Sequence, residues 1–236
     1  MPLSPCPSAP PTALLDARHL GRIDPTSQAP LLVPTDFALY PGDRVAITGP
    51  SGSGKSVLLR LLALLDAPSS GEVRWHGQPV TTQSVRQYRA SVCYLAQRAA
   101  LVEGSVRDNL QLPFRLKVRH GRHFDLDTAQ RWLERAGKPP GFLDKSADEL
   151  SGGEAQIVAL LRTLQLAPDV ILLDEPTSAL DPNSAARVEQ LVLDWFAEPG
   201  HGRAFAWVSH DPAQARRMGA RHLRMHQGCL DGEPRP

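Results

Sequence analysis

No apolar run in the 236-residue sequence exceeds about five residues, far short of the ~18–20 that cross a bilayer. The chain does not open on a basic patch followed by an apolar stretch, so no secretory signal is expected. Cysteine is scarce: Cys6, Cys93 and Cys229 lie far apart without a C-x-x-C pair. That spacing argues against a zinc site and against a disulfide framework, and suits a reducing compartment. Cys93, inside the apolar run Ser91–Leu95, reads as a small buried hydrophobe. Charge of one sign is also missing. The net charge of +1 gives no bulk attraction for nucleic acid, and no such partner is expected. Local basic groups, Arg115 to His120 and Arg216-Arg217, read as solvated surface, as do His120 and His123. These absences describe a cytoplasmic chain that reaches a membrane only through a partner.

An apolar content of 42% and a charged content of 22% are ordinary for a globular protein of this size. Residues 1–12 hold five prolines and no periodicity, and read as a disordered leader. Residues 13–48 read as β-rich, with a turn at Tyr40-Pro41-Gly42-Asp43. A hairpin is expected through Glu72–Trp75, turning at His76-Gly77. Val92–Leu95 is a further strand candidate. From about 98 to 165 the pattern turns helical, with Thr128–Ala136 amphipathic and stopped by Gly137. Val170–Leu173 and Ala204–Val208 are continuous apolar runs too short for helices, which is how buried parallel strands read.

The segment Gly49-Pro50-Ser51-Gly52-Ser53-Gly54-Lys55-Ser56 reads G-x-x-x-x-G-K-S between a strand (Arg44–Thr48) and a helix (from Ser56). Backbone N–H groups in such a loop point at a polyphosphate, and its glycines allow the close approach that a Cβ would block. The helix N-terminus adds partial positive charge. Lys55 would reach the β- and γ-phosphates, and Ser56 would ligate Mg2+. Binding of a nucleoside triphosphate is implied.

Asp174-Glu175 closes the apolar run 170–173, at the strand end where α/β sheets place ligands. Asp174 would hold Mg2+, and Glu175 would take a proton from the water attacking the γ-phosphorus. Leu150-Ser151-Gly152-Gly153-Glu154-Ala155-Gln156 opens a helix and admits two readings. It is an ordinary N-cap with a glycine turn, or a second anion site of hydroxyl, amides and helix end.

The phosphate loop, L-S-G-G-x-x-Q, the Asp-Glu strand end, Ser178-Ala179-Leu180-Asp181 and Val208-Ser209-His210-Asp211 stand in that order. In order and spacing they resemble the ATP-binding cassette ATPases of ABC transporters. The resemblance spans residues 14–228, and Leu150–Gln156 is its most specific part. It implies an α/β fold: a phosphate-loop NTPase core with a mostly parallel sheet and flanking helices, an N-terminal antiparallel β region and an inserted helical subdomain at about 98–165. The cassette would cover 13–230, with 231–236 a tail. By the same resemblance, Gln97 bridges Mg2+ or the attacking water to the insertion, and His210 contacts the γ-phosphate. Ser178, Ala179, Leu180 and Asp181 join two active sites. Two such cassettes pair head to tail, each ATP lying between one chain's phosphate loop and the other's Ser151-Gly152-Gly153. The expected partners are a second copy and an integral-membrane permease, which would hold the chain on the inner face of the cell membrane.

Residues 96–114 are similar to exporter-type cassettes, and Leu160–Gln165 and Trp207–Asp211 are similar to the ATP-binding subunits of FetAB-type bacterial iron exporters. Importer and lipoprotein-releasing cassettes share most of the motifs, and a soluble non-transport cassette is the remoter alternative. Two positions depart from the common pattern. His19–Asp24 lacks the aromatic that many cassettes stack on adenine. Arg22 stands at that position, either stacking its guanidinium on the base or lying on the surface. Ile157 stands where an Arg often follows the signature Gln.

Overall fold

The computed structural model describes residues 12–119, 121, 123–199 and 202–232. The proline-rich leader therefore lies outside the described residues except for Thr12, and the tail does so from 233 onward. The described residues open with β1 (Leu15–Ile23), β2 (Pro30–Leu39) and β3 (Arg44–Thr48), followed by α1 (Lys55–Leu62). Then come β4 (Ser70–Trp75), β5 (Gln78–Pro79), α2 (Val85–Ser91) and β6 (Val92–Leu95). The stretch 98–165 carries α3 (Val106–Gln111), α4 (Leu126–Arg135) and α5 (Gly152–Leu164), joined by short 3-10 turns. The remainder is β7 (Val170–Asp174), α6 (Pro182–Ala197), β8 (Ala204–Val208), α7 (Pro212–Met218), β9 (Arg221–His226) and β10 (Cys229–Asp231).

Two sheets form. One is antiparallel, in the order β2-β1-β4-β5. The other runs β10-β9-β3-β8-β7-β6, parallel throughout except for the β9–β10 hairpin at its edge. All five residues of β7 and of β8 are buried. Because successive strand residues point to opposite faces, each of these strands feeds two cores. Val170, Leu172, Ala204, Ala206 and Val208 pack with α1 and the antiparallel sheet. Ile171, Leu173, Phe205 and Trp207 pack with α5, α6 and the 98–165 segment. The β8 face on the first side is small, which leaves room for Leu58, Leu59, Leu61 and Leu62 of α1. The opposite face is aromatic and fills the wider space under α5 and α6. Each large apolar side chain buried this way contributes ~1.5–3 kcal/mol before entropy is counted.

Cys93 differs from the expectation. It is half-buried, as is Tyr94 beside it, on β6, the edge strand of the parallel sheet. Val92 and Leu95 are the buried residues of that strand. The apolar runs 31–33 and 37–39 belong to one strand, β2. The amphipathic helix starts at Leu126, two residues before the expected Thr128, because Asp125 caps it by accepting from the Asp127 amide at 3.2 Å. Among the described residues, no helix is long and apolar enough to cross a membrane.

Candidate nucleotide site

The loop between β3 and α1 is held on three sides. Gly49 passes so close to β9 that an added Cβ would lie 2.1 Å from the Met225 carbonyl oxygen. Gly54 has φ +109°, a conformation open to glycine and strained for other residues. The β9–β10 turn braces the loop: the Gly228 amide donates to the Ser53 carbonyl at 2.8 Å, and the Val33 amide of β2 donates to the Gly228 carbonyl at 2.9 Å. Lys55 is buried, and its Nζ donates to the carbonyls of Gly49 (2.9 Å) and Pro50 (2.8 Å). Ser53 is 4% exposed, and its hydroxyl is buried without a hydrogen-bond partner. An orphaned hydroxyl beside uncapped amides fits a ligand rich in acceptor oxygens.

At the end of β7, Asp174 is 3% exposed. Burial pushes its pKa up. Hydrogen bonds from Ser56 and Tyr94 and the charge of Lys55 oppose that rise, while the neighbouring Glu175 carboxylate adds to it. The Tyr94 hydroxyl donates to Asp174 Oδ2 at 3.0 Å. Burial and the Asp174 charge hold this phenol well above its ordinary pKa, so it remains a donor. The hydroxyl of Ser56, the carboxylate of Asp174 and the side-chain oxygen of Gln97 are hard oxygen donors of the kind Mg2+ takes.

Glu175 is a non-glycine residue at φ +46°, a strained conformation held by the hydrogen bond that its N–H donates to the Val208 carbonyl at 3.2 Å. Its carboxylate meets two other site residues. Gln97 Nε2 donates to Oε2 at 3.0 Å, and His210 Nδ1 lies 3.5 Å from the same oxygen. Three residues separated by 78 and 35 positions are thus brought together beyond the parallel strands. Glu175, Ser178 and His210 line one pocket of about 250 Å3.

Ser151 caps α5 through a reciprocal pair. Its hydroxyl accepts from the Glu154 amide at 3.2 Å, and Glu154 Oε2 accepts from the Ser151 amide at 3.0 Å. Gly153 packs against the 178–181 loop, where an added Cβ would lie 2.8 Å from Leu180 Cδ2 and 3.3 Å from the Ala179 carbonyl. Asp181 ends that loop as the cap of α6, accepting from Asn183 and Ser184 amides at 3.0 and 3.1 Å. A hydrogen bond from the Ser184 side chain first, and then these amide bonds, hold its pKa below the ordinary carboxylate value. Arg22, on β1, is half-buried, and its guanidinium donates to the Ala67 carbonyl. Ile157 is buried in the second core.

Two contacts were not anticipated from sequence. One is Tyr94 on Asp174. The other is Gln156, 2% exposed, whose Nε2 donates to the Ala96 carbonyl at 2.9 Å and so ties α5 to the residue before Gln97. The signal for Tyr94 was its place three residues before Gln97 on a strand that pairs with β7.

A parallel sheet with a glycine-rich loop leading from β3 into a helix, and paired carboxylates at the end of β7, defines a phosphate-loop NTPase. The family model described as ABC transporter matches residues 32–178, and the chain belongs to that family as the ATPase cassette of a transport system. Among curated relatives, it is 38% identical to the probable iron export ATP-binding protein FetA of Escherichia coli, over 84% of this chain and 85% of that one. It is 38% identical to the lipoprotein-releasing system ATP-binding protein LolD of Bordetella pertussis, over 92% and 94%. Among solved structures it is similar to a dimeric post-hydrolysis state of the ATP-binding cassette MJ0796 bound to ADP and Pi. That likeness has a TM-score of 0.81 and 25% identity, over 94% of this chain and 100% of that one.

Proposed function

We propose that this chain binds MgATP, pairs with a second copy around two nucleotides and drives a separate integral-membrane permease that exports iron or another metal. The supporting observation is the convergence of Gln97 and His210 on the Glu175 carboxylate, at the end of the strand that carries Asp174. The backbone N–H groups of Gly49, Ser51, Gly52, Ser53 and Gly54 wrap the phosphates, and Pro50, which has no N–H, shapes the loop. Lys55 leaves its two loop carbonyls for the β- and γ-phosphate oxygens. Arg22, anchored by Ala67, offers a guanidinium plane to the base. Ser56, Asp174 and Gln97 hold Mg2+, which when bound neutralises charge on the β- and γ-phosphates.

Glu175 accepts a proton from water as the water oxygen bonds to the γ-phosphorus. The bond from that phosphorus to the β-bridging oxygen breaks, and ADP leaves with the electron pair. His210 steadies the γ-phosphate oxygens. Ser151, Gly152 and Gly153 of the second copy cover the same phosphate, while Ser178 to Asp181 of each chain meet across the seam. The chain sits in the cytoplasm on the inner face of the membrane. Metal cargo draws on the likeness to FetA. The match to LolD covers more of the chain at the same identity, which supports a lipoprotein-releasing system as the second reading.

The test is Glu175→Gln. Removing a general base is expected to lower turnover by about 10²–10⁴-fold, and the variant should accumulate as an ATP-bound dimer. Recovered from native membranes with MgATP, it should bring down one polytopic permease, whose family identifies the cargo class. Normal hydrolysis, or a monomer at saturating MgATP, would overturn the reading. Recovery of ribosomes or DNA-repair proteins would assign the cassette to a soluble system instead.

A further inference from the structure

A closed hydrogen-bond network lies between α6, α7 and the ends of β7 and β8. Ser209 is 2% exposed, Gln214 7% and Glu189 8%. Gln214, on α7, is the hub. Its Oε1 accepts from the Ser209 hydroxyl at 2.8 Å and from the Trp207 indole N–H at 3.2 Å. Its Nε2 donates to the Thr177 hydroxyl at 2.8 Å and to Glu189 Oε1 at 2.9 Å. A carboxamide offers two N–H donors and an oxygen with two acceptor positions, so this one is fully used. The chemistry of the neighbours also fixes its orientation. An indole N–H can only donate and must face the oxygen. An ionised carboxylate can only accept and must face the NH2. Glu189 is in turn clamped by Arg217, with Nε at 3.0 Å from Oε2 and Nη2 at 2.8 Å from Oε1.

The loop ends of this network matter. Thr177 stands between Glu175 and Ser178, in the segment that leaves β7. Ser209 directly precedes His210, and its hydroxyl also accepts from the Asp211 amide at 2.9 Å. A single buried amide therefore bridges the two loops that carry the Glu175 carboxylate and the His210 imidazole. It also borders the pocket that those two residues line. Bonds of this kind, away from water, act together and resist independent movement of the two loops.

We propose that Gln214 is a positioning residue for ATP hydrolysis: it locks the loop of Glu175 and Ser178 to the loop of His210, so that both close on the γ-phosphate as one unit. This rests on the roles assigned above to Glu175 and His210. Gln214 itself touches no reacting atom, and the Glu189–Arg217 pair holds its amide in register.

The test measures turnover and MgATP affinity of the full chain for Gln214→Leu, Thr177→Val, their double variant and His210→Ala, with a thermal melt of each. Leucine keeps similar bulk and removes all four bonds. Gln214→Leu is expected to lower kcat about 10-fold or more while ATP affinity stays within about 2-fold, the signature of an interaction that matters in the transition state. The double variant should be no slower than Gln214→Leu alone, because both changes break the same bridge. A merely structural role would lower the melting temperature, leave kcat per folded molecule unchanged, and make the two changes independent. That result overturns the proposal. Should Gln214→Leu not fold, Thr177→Val and Ser209→Ala cut the bridge from the loop side, and unchanged kcat in both overturns it equally. Loss of turnover in His210→Ala with none in Gln214→Leu defeats this inference alone. Full turnover in His210→Ala removes the underlying reading and the inference with it.

Discussion

The N-termini of α1 and α5 are both glycine-rich helix starts, and they are built in opposite ways. At α1 the capping position is Gly54, which offers no side-chain acceptor, so the first amides have no cap from the chain itself. The loop is braced from beneath, with its outer face open: Lys55 is buried, Ser53 is an orphaned hydroxyl, and the β9–β10 turn bonds to the loop, while Ser51, Gly52 and Ser56 are exposed. At α5, Ser151 and Glu154 satisfy each other's amides, and Lys145 pairs with Glu154 at 3.0 Å. Yet Ser151 and Gly152 are exposed. One site is unsatisfied and braced by the strands around it, which suits capture of phosphates by a single chain. The other is satisfied and open, which suits a surface that meets a ligand already held by another molecule.

Lys55→Ala breaks the comparison hardest. In the free protein this ammonium binds two carbonyls of its own loop. With nucleotide it would turn to the phosphates, and hydrogen bonds to charged groups are worth ~1.5–3 kcal/mol. ATP affinity by calorimetry should therefore fall about 10–100-fold. The rise in melting temperature that a ligand of the folded state produces should shrink in step. Unchanged affinity would mean that the uncapped helix start is not where phosphates bind.

The uncapped site was the more legible of the two in sequence. Its glycines and lysine carry a fixed spacing, and β3, β7 and β8 are buried on both faces, so they stand out as unbroken apolar runs. β9 has the alternation of a half-exposed strand, with Leu223 and Met225 buried between His222, Arg224 and His226, but only two apolar residues to carry it. α2 buries Tyr88 alone, too little to set a helical period. Gln214, Glu189 and Thr177 had no signature at all. They come from two helices and a loop, and their meeting depends on how α6 and α7 pack over β8. A spacing rule reads residues that share one local geometry, whereas a network assembled by tertiary packing leaves no mark along the chain.

Ser151→Ala sharpens the comparison at the open site. Loss of the cap should cost ~1 kcal/mol of stability, visible in urea melts. MgATP affinity of the single chain should be unchanged, and ATP-driven dimerisation should weaken when followed by sedimentation. A fall in single-chain affinity would show that Ser151 serves the nucleotide of its own chain, and the contrast between the two helix starts would collapse.

The smallest effect separates charge from capping at the same place. Burial pushes the Glu154 pKa up, but the Ser151 amide, Lys145 and Lys138 outweigh it and leave the group below its ordinary value. A carboxylate with a lowered pKa stabilises the fold above its unfolded-state pKa, and that contribution is lost as pH falls through the folded one. Glu154→Gln keeps an oxygen for the Ser151 amide and removes the attraction of the two lysines. At neutral pH the variant should be less stable by ~0.5–1 kcal/mol, the scale of a partly exposed ion pair. As the pH drops through the acid range the two proteins should converge, because the wild-type carboxylate then loses its charge. A difference that persists undiminished at pH ~3, below the ordinary range of a carboxylate, would mean that geometry, not charge, closes this end of α5.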